Sequence, residues 1–268
     1  MAKRQNTMTV LRTEDLTGHI RRIWLGGEGF DDFQATEHTD MYVKIQFAVP
    51  DRDEPVLRTY TVRTYDQQAR ELAIDFVVHG DEGVAGPWAA RVQPGESVTF
   101  LGPGSKYRPD PAAPWHLIVG DEAGLPAVAA AVEALPADAI AKVFIEVAGP
   151  EDEIDIAAPA GAEITWVHRG YSSFEAPDEA AGDNAPIIAA VKSAEWLDGE
   201  PHVFIHGEAQ AVMKNLRPYV RKERGVSAER AGSISGYWRR GRTEDGFRAW
   251  KAEQVAINQA DEEKWSKV

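Results

Sequence analysis

The proline-rich segment 107–114, YRPDPAAP, divides the chain into two halves with different hydrophobic periodicities. Before it, apolar–polar alternations recur at close spacing: HIRRIWLGG (19–27), MYVKIQFAVP (41–50), the run 56–65 and ELAIDFVVHG (71–80). Period-two alternation sends successive side chains to opposite faces of a strand. Strands joined by short polar turns, with no long helix between them, build an antiparallel barrel. Residues 1–15 read as a polar lead-in, 86–90 as a short helix and 97–101 as a further strand. After the proline segment, strands at 115–122, 141–150, 163–170 and 202–208 alternate with helices at 124–135, 185–196 and 209–225. That pattern requires a parallel sheet covered on both faces. The expected fold is β + α/β: a β-barrel domain over 1–110, then an α/β domain over 111–268 with a polar helical tail at roughly 243–265.

Composition narrows the partners. With 268 residues, 43% of them hydrophobic and 27% charged, the chain has the apolar content of a globular protein. A formal net charge of −14 argues against nucleic acid or an anionic membrane as a general partner. Any anion site must then be a local basic cluster. The absence of cysteine excludes disulfides, thiolate metal sites, iron–sulfur clusters and a cysteine nucleophile. The first residues lack a signal-like apolar core and no run reaches membrane-spanning length, so a cytoplasmic protein without membrane insertion is expected.

One strand carries unusual chemistry. In RTYTVR (58–63), Arg58, Tyr60 and Val62 fall on one face and Thr59, Thr61 and Arg63 on the other. A flavin needs a ring to stack on, a hydroxyl near its reactive nitrogen and a cation for its diphosphate; this strand has all three. The same residues also suit an ordinary half-buried strand. Gly86-Pro87-Trp88-Ala89-Ala90 starts a helix with proline near its first position, and free N–H groups there favour a phosphate. In parallel sheets, ligands sit beyond the carboxyl ends of the strands, here Gly120-Asp121-Glu122 and His206-Gly207-Glu208. No GxGxxG follows the first of these strands, so nicotinamide binding would be of another style. Tyr237, Trp238, Arg239, Arg240 and Arg242 form a late burst that suits a cover over a flavin or an anionic ligand. It suits equally an aromatic pair on a sheet edge beside a solvated turn.

Four stretches in this order, 58–63, 75–90 (DFVVHGDEGVAGPWAA), 120–127 (GDEAGLPA) and 236–246 (GYWRRGRTEDG), resemble the siderophore-interacting proteins. These are flavin-dependent ferric-siderophore reductases built like ferredoxin-NADP reductases. The resemblance runs from about residue 10 to 250 and includes the LRPYVRKERG helix. It implies a six-stranded-type FAD-binding barrel followed by an NAD(P)H-binding-like domain. Arg58, Tyr60, Thr61, Val62 and Arg63 would form the flavin strand. Asp75, Val77, His79 and Gly80 would also bind the cofactor, and Gly86, Trp88 and Ala89 would meet the diphosphate. His79 also reads as a satisfied strand-end histidine. Asp121, Glu122 and Ala123 would begin the nicotinamide side, with Gly207 and Glu208 across the sheet. Tyr237 and Trp238 would fold back towards the flavin. Lys44, Arg240 and Lys251 are candidates for a basic substrate pocket, although Lys44 reads also as a solvated lysine.

The activity so implied is FAD-mediated electron transfer from NADH, NADPH or reduced ferredoxin to siderophore-bound Fe(III), releasing Fe(II). It needs no protein metal ligand and no covalent catalytic residue. A ferric siderophore is the substrate, ferredoxin a possible partner, and a monomer is expected. A general NAD(P)H:acceptor flavin reductase and a non-catalytic siderophore-binding or iron-delivery protein stand as alternatives.

Overall fold

The computed structural model describes residues 4–50, 52–78, 83–173, 175–242, 246–247, 249–251 and 254. Six strands form the first half: β1 (Gln5–Asp15), β2 (Ile20–Gly26), β3 (Tyr42–Phe47), β4 (Val56–Asp66), β5 (Glu71–Val77) and β6 (Ser97–Gly104). They close into a barrel in the order β1-β2-β5-β4-β3-β6, every pair antiparallel. Inward side chains such as Met8, Val10, Ile23, Val43, Ile45, Val62, Ile74 and Phe100 fill it. The short helix α1 (Ala85–Arg91) adds Ala85 and Ala89 to this core.

The lead-in expected over residues 1–15 is corrected: most of it is β1, which pairs with both β2 and β6. Only Met8 and Val10 among its side chains bring apolar groups to the core, while Thr7, Leu11 and Arg12 face outward. Its stability comes from long-range pairing, which a local pattern does not reveal. The strand expected over 71–80 ends at Val77, and His79 and Gly80 lie outside the described residues.

The second half holds β7 (His116–Asp121), α2 (Leu125–Glu133), β8 (Ala141–Val147), β9 (Ala162–His168), α3 (Pro186–Ser193), β10 (His202–Glu208) and β11 (Ser233–Trp238). The strands form one parallel sheet in the order β11-β10-β7-β8-β9. The chain leaves the central β7 in one direction and returns on its other side, which puts a switch point between β7 and β10. β11 was not legible as a strand; Ser-Ile-Ser-Gly lacks an apolar run, and its register is imposed by β10. The helix expected at 209–225 is two π-helical segments, Gln210–Leu216 and Tyr219–Glu223, on either side of Pro218, which has no N–H to donate. Of the helical tail expected at 243–265, the described residues Gly246, Phe247, Ala249, Trp250, Lys251 and Gln254 are helical.

Polar contacts among the described residues join the halves. Arg63 of β4 grips Glu133 of α2 through two bonds of 2.7 and 2.6 Å. His19 Nδ1 meets Asp152 at 2.9 Å. Within the first half, the Asp40 carboxylate accepts the N–H groups of Lys106 and Tyr107, each at 2.8 Å, fixing the connecting segment to the barrel. Tyr237 on β11 comes close to Thr61 on β4.

Candidate functional site

The approach of Tyr237 to Thr61 brings the last strand of the sheet onto the strand that sequence chemistry singled out. A bulge between Val62 and Thr64 keeps Thr61 and Arg63 facing the second domain, while Tyr60 and Val62 turn to the barrel. The half-buried Tyr60 ring lies 4.3 Å from Phe76 and Phe76 lies 5.4 Å from Trp88, which in turn sits edge-on to Phe47 at 5.4 Å. These rings make a rigid aromatic wall at the barrel rim. Arg58 is half-buried and donates to the Leu57 carbonyl at 3.0 Å. Gly86 opens α1, where an added Cβ would meet only the Val77 carbonyl at 3.6 Å, so backbone can be approached closely there.

Tyr237 packs on His206 at 4.4 Å, and His206 on Phe204 at 4.2 Å. Burial lifts the Tyr237 phenol above its usual range; Asp40 adds to the rise and the Thr61 bond opposes it. His206 Nε2 lies 2.9 Å from Ser233 Oγ, and its Nδ1 is buried without a partner among the described residues. Burial holds this imidazole down at about 3, so it is neutral at working pH.

Several residues expected at the cofactor have other commitments. The Val62 and Ala89 side chains belong to the barrel core. Asp75 is bound by Arg22 through two bonds of 2.6 and 2.8 Å. Arg63 is consumed by Glu133. The Asp75 and Arg63 side chains, expected at the cofactor, are engaged by Arg22 and Glu133. Val77 is half-buried at the end of β5.

At the switch point, Asp121 is an organiser. Its carboxylate accepts the Trp238 indole N–H at 2.7 Å, the Glu208 N–H at 2.8 Å and the Gly124 N–H at 3.0 Å, tying together the ends of β7, β10 and β11. Burial raises its affinity for a proton and these three bonds oppose that rise. The β7–α2 turn, with half-buried Ala123, passes so close to β10 that a Cβ on Gly124 would stand 2.7 Å from the His206 carbonyl. Gly207 lets Asp121 approach in the same way. Glu208 Oε2 accepts the N–H groups of Gln210 and Ala211, at 2.6 and 3.0 Å, capping the segment that follows.

Beyond these strand ends opens a pocket lined by Asp121, Glu146, Arg169, Glu208, Trp238 and Arg240, with small residues of the 176–185 loop opposite. Buried Arg169 binds Glu146 at 2.7 Å and Glu122 at 2.9 Å. Burial raises both glutamates' affinity for protons, and Arg169 pulls in the opposite direction. Glu146 and Arg169 were not singled out from the sequence, although both lie within strand runs that the periodicity identified.

The expected basic pocket divides. Lys251 reaches in to the Gly236 carbonyl at 2.9 Å although much of its stem is exposed, and its ammonium lies below the usual lysine range through burial and then through Lys44. Lys44 and Lys251 are therefore neighbours. Arg240 instead bonds Asp178 and the Ala176 carbonyl, each at 2.5 Å, and lines the switch-point pocket. Arg240 follows the strand end, while Lys251 lies a helical segment further on.

A closed antiparallel barrel followed by a parallel sheet is a fold shared with solved ferredoxin reductases. Ferredoxin-NADP+ reductase from Plasmodium falciparum shares this fold at a TM-score of 0.66 and 9% identity, over 87% of this chain and 96% of that one. Two family models match, the siderophore-interacting FAD-binding domain over residues 9–55 and 46–107 and the siderophore-interacting protein model over 113–241. The chain belongs to the siderophore-interacting protein family. An uncharacterised protein of Mycobacterium tuberculosis is 54% identical over 264 residues, covering 91% of this chain and 93% of that one. Ferric vibriobactin reductase ViuB of Vibrio cholerae is 31% identical over 256 residues, 88% and 90% of the two chains. The NADPH-dependent ferric-chelate reductase of Escherichia coli is 32% identical over 230 residues, 78% and 84% of the two. Siderophore-interacting protein SipS from Aeromonas hydrophila superimposes with a TM-score of 0.80 at 29% identity, over 95% and 99%.

Proposed function

We infer that this chain is an FAD-dependent ferric-siderophore reductase that draws on NAD(P)H. The observation that carries the reading is the seam where Thr61 meets Tyr237, with the Tyr60 ring on the barrel side of the same strand and Lys44 and Lys251 as a second, cationic group. The donor set fits a flavin: a half-buried aromatic ring backed by Phe76, two hydroxyls and the Arg58 guanidinium. Tyr60 would support the ring, Thr61 and Tyr237 would hydrogen-bond beside it, and Arg58 with the start of α1 would hold the diphosphate. Bound FAD would supply the chemistry of taking up one hydride, two electrons at once, and releasing electrons singly, which is what conversion of Fe(III) to Fe(II) requires.

The chain's own residues orient and exclude. Tyr237 covers the seam, and its phenol, kept protonated by burial, donates or accepts a hydrogen bond without carrying charge. Neutral His206 supports it from behind. Lys44 and Lys251 would attract an anionic ferric siderophore to the flavin edge and keep it there only while it is anionic. Among the described residues no cluster of metal-ligating side chains competes for the iron. No helix among them is long and apolar enough to cross a membrane.

The test is purified protein with FAD, NAD(P)H and a ferric siderophore, followed by a ferrous-specific chelator under anaerobic conditions. Fe(II) should appear only with all three present. Tyr60→Ala should weaken FAD retention at least about tenfold, as loss of one stacked ring contact with its buried area costs over 1 kcal/mol. A protein that neither retains nor takes up FAD would remove the reading and bring the siderophore-binding alternative forward.

A further inference from the structure

Strand β11 carries one residue more than the strand it pairs with. Gly207 faces Gly236, but the next residue of β10, Glu208, faces Trp238, so Tyr237 stands outside the ladder in a bulge. Bulges are rare in parallel pairs, and their usual effect beside a functional site is to re-aim a side chain. The side chain re-aimed here is Tyr237, whose phenol lies near Asp40, Tyr42 and Thr61 of the first half. An unbulged β11 would instead carry Tyr237 opposite Glu208, at the end of the ladder.

The group that holds the bulge comes from β7. Asp121 Oδ2 accepts the Trp238 indole N–H at 2.7 Å, on the residue after the bulge, and the Glu208 N–H at 2.8 Å, on the residue opposite. Its Oδ1 accepts the Gly124 N–H at 3.0 Å, which fixes the carboxylate from behind. The backbone of β10 makes room for it, since a Cβ on Gly207 would stand 2.9 Å from the Asp121 carboxyl. Tyr237 and Trp238 are consecutive, so fixing the indole fixes the backbone from which the phenol leaves. A buried carboxylate is a costly way to end a strand, because burial opposes its ionisation. What it gains here is a defined place for two rings. Both its oxygens are engaged within the protein, so its effect on the flavin site runs through β11 and not through contact.

We propose that Asp121 is a positioning residue for the flavin site: it clamps the β11 bulge and so aims Tyr237 at the strand that carries Tyr60 and Thr61. The proposal rests on the reductase reading only for the flavin as the ligand of that strand. Its first test needs no flavin. In protein labelled with fluorotyrosine, the Tyr237 fluorine resonance is the one missing from Tyr237→Phe. Asp121→Ala and Trp238→Phe should each move that resonance. Asp121→Asn should move it less, because its amide oxygen can still accept the indole N–H. An unmoved resonance in Trp238→Phe overturns the proposal, and this variant decides alone if Asp121→Ala lacks a cooperative melting transition. The second test is FAD affinity by flavin-fluorescence titration. Trp238→Phe should weaken it about fivefold, and less than about twofold when Tyr237→Phe is already present. Equal losses in the two backgrounds would show that the clamp does not act through Tyr237, and would overturn the proposal. Failure of the unaltered protein to take up FAD would remove the reductase reading, while the fluorine resonance would still decide what places Tyr237.

Discussion

Lys44 and Lys251 come from the two halves of the chain, and burial first and Lys44 second make the Lys251 ammonium less willing to hold its proton. An anionic ligand relieves that repulsion, which is a stronger reason for two adjacent lysines than solvation is. Lys44→Glu or Lys251→Glu should therefore raise KM for an anionic ferric siderophore by about tenfold, and raise it far less for a neutral one. Arg240→Glu should instead weaken nucleotide binding and leave the siderophore KM nearly unchanged. Steady-state kinetics with one anionic and one neutral chelate separate these outcomes, and equal effects of the lysine changes on both chelates would remove the lysines from the substrate site. Sequence chemistry singled out these three cations together. It did not distinguish their surroundings, because Arg240 and Lys251 are close in the chain and the difference depends on where β11 ends.

At the scale of elements, β4 and α2 are joined by a guanidinium that is 5% exposed and a carboxylate that is 31% exposed. Removing the acid leaves Arg63 charged and largely dry, with its Nε already unpartnered among the described residues. Glu133→Gln should cost on the order of 2 kcal/mol, and the double variant Arg63→Met/Glu133→Gln should recover part of it. Urea denaturation of the four forms in a double-mutant cycle measures both. A coupling near zero would show that the seam is held by its apolar contacts alone. The strands whose apolar residues alternate or run continuously, β2 to β5, β7, β8 and β10, were legible in sequence, as was the change of build at the proline segment. β1 and β11 were not: their outward residues are polar, their apolar content is thin, and each is held by a partner far away in the chain. The Asp121 hub was visible only as a strand end, since the three donors it collects come from three separate elements.

Across the whole molecule, buried histidines give stability a pH dependence of known sign. His116 is held at about 4 and His206 at about 3, in both cases chiefly by burial, and His202 is lowered as well. The unfolded chain titrates these rings near pH 6.5, so below that value it binds protons that the native protein refuses. Their stabilising contribution is complete above about pH 6.5 and declines as pH falls through the folded values. His116→Gln and His206→Gln should each flatten the fall in urea midpoint between about pH 7.5 and 5, relative to the unaltered protein. Unchanged slopes would mean that the rings are solvated in the native state. The pairing of β1 with β6 carries a different consequence, one of timing. During synthesis β1 emerges with only β2 to pair with, and its other edge must wait until Ser97–Gly104 has left the ribosome. At ordinary elongation rates that interval is on the order of ten seconds. Throughout it the nascent barrel is an open sheet, so its first strand keeps an unpaired edge for longer than a barrel of sequential hairpins would.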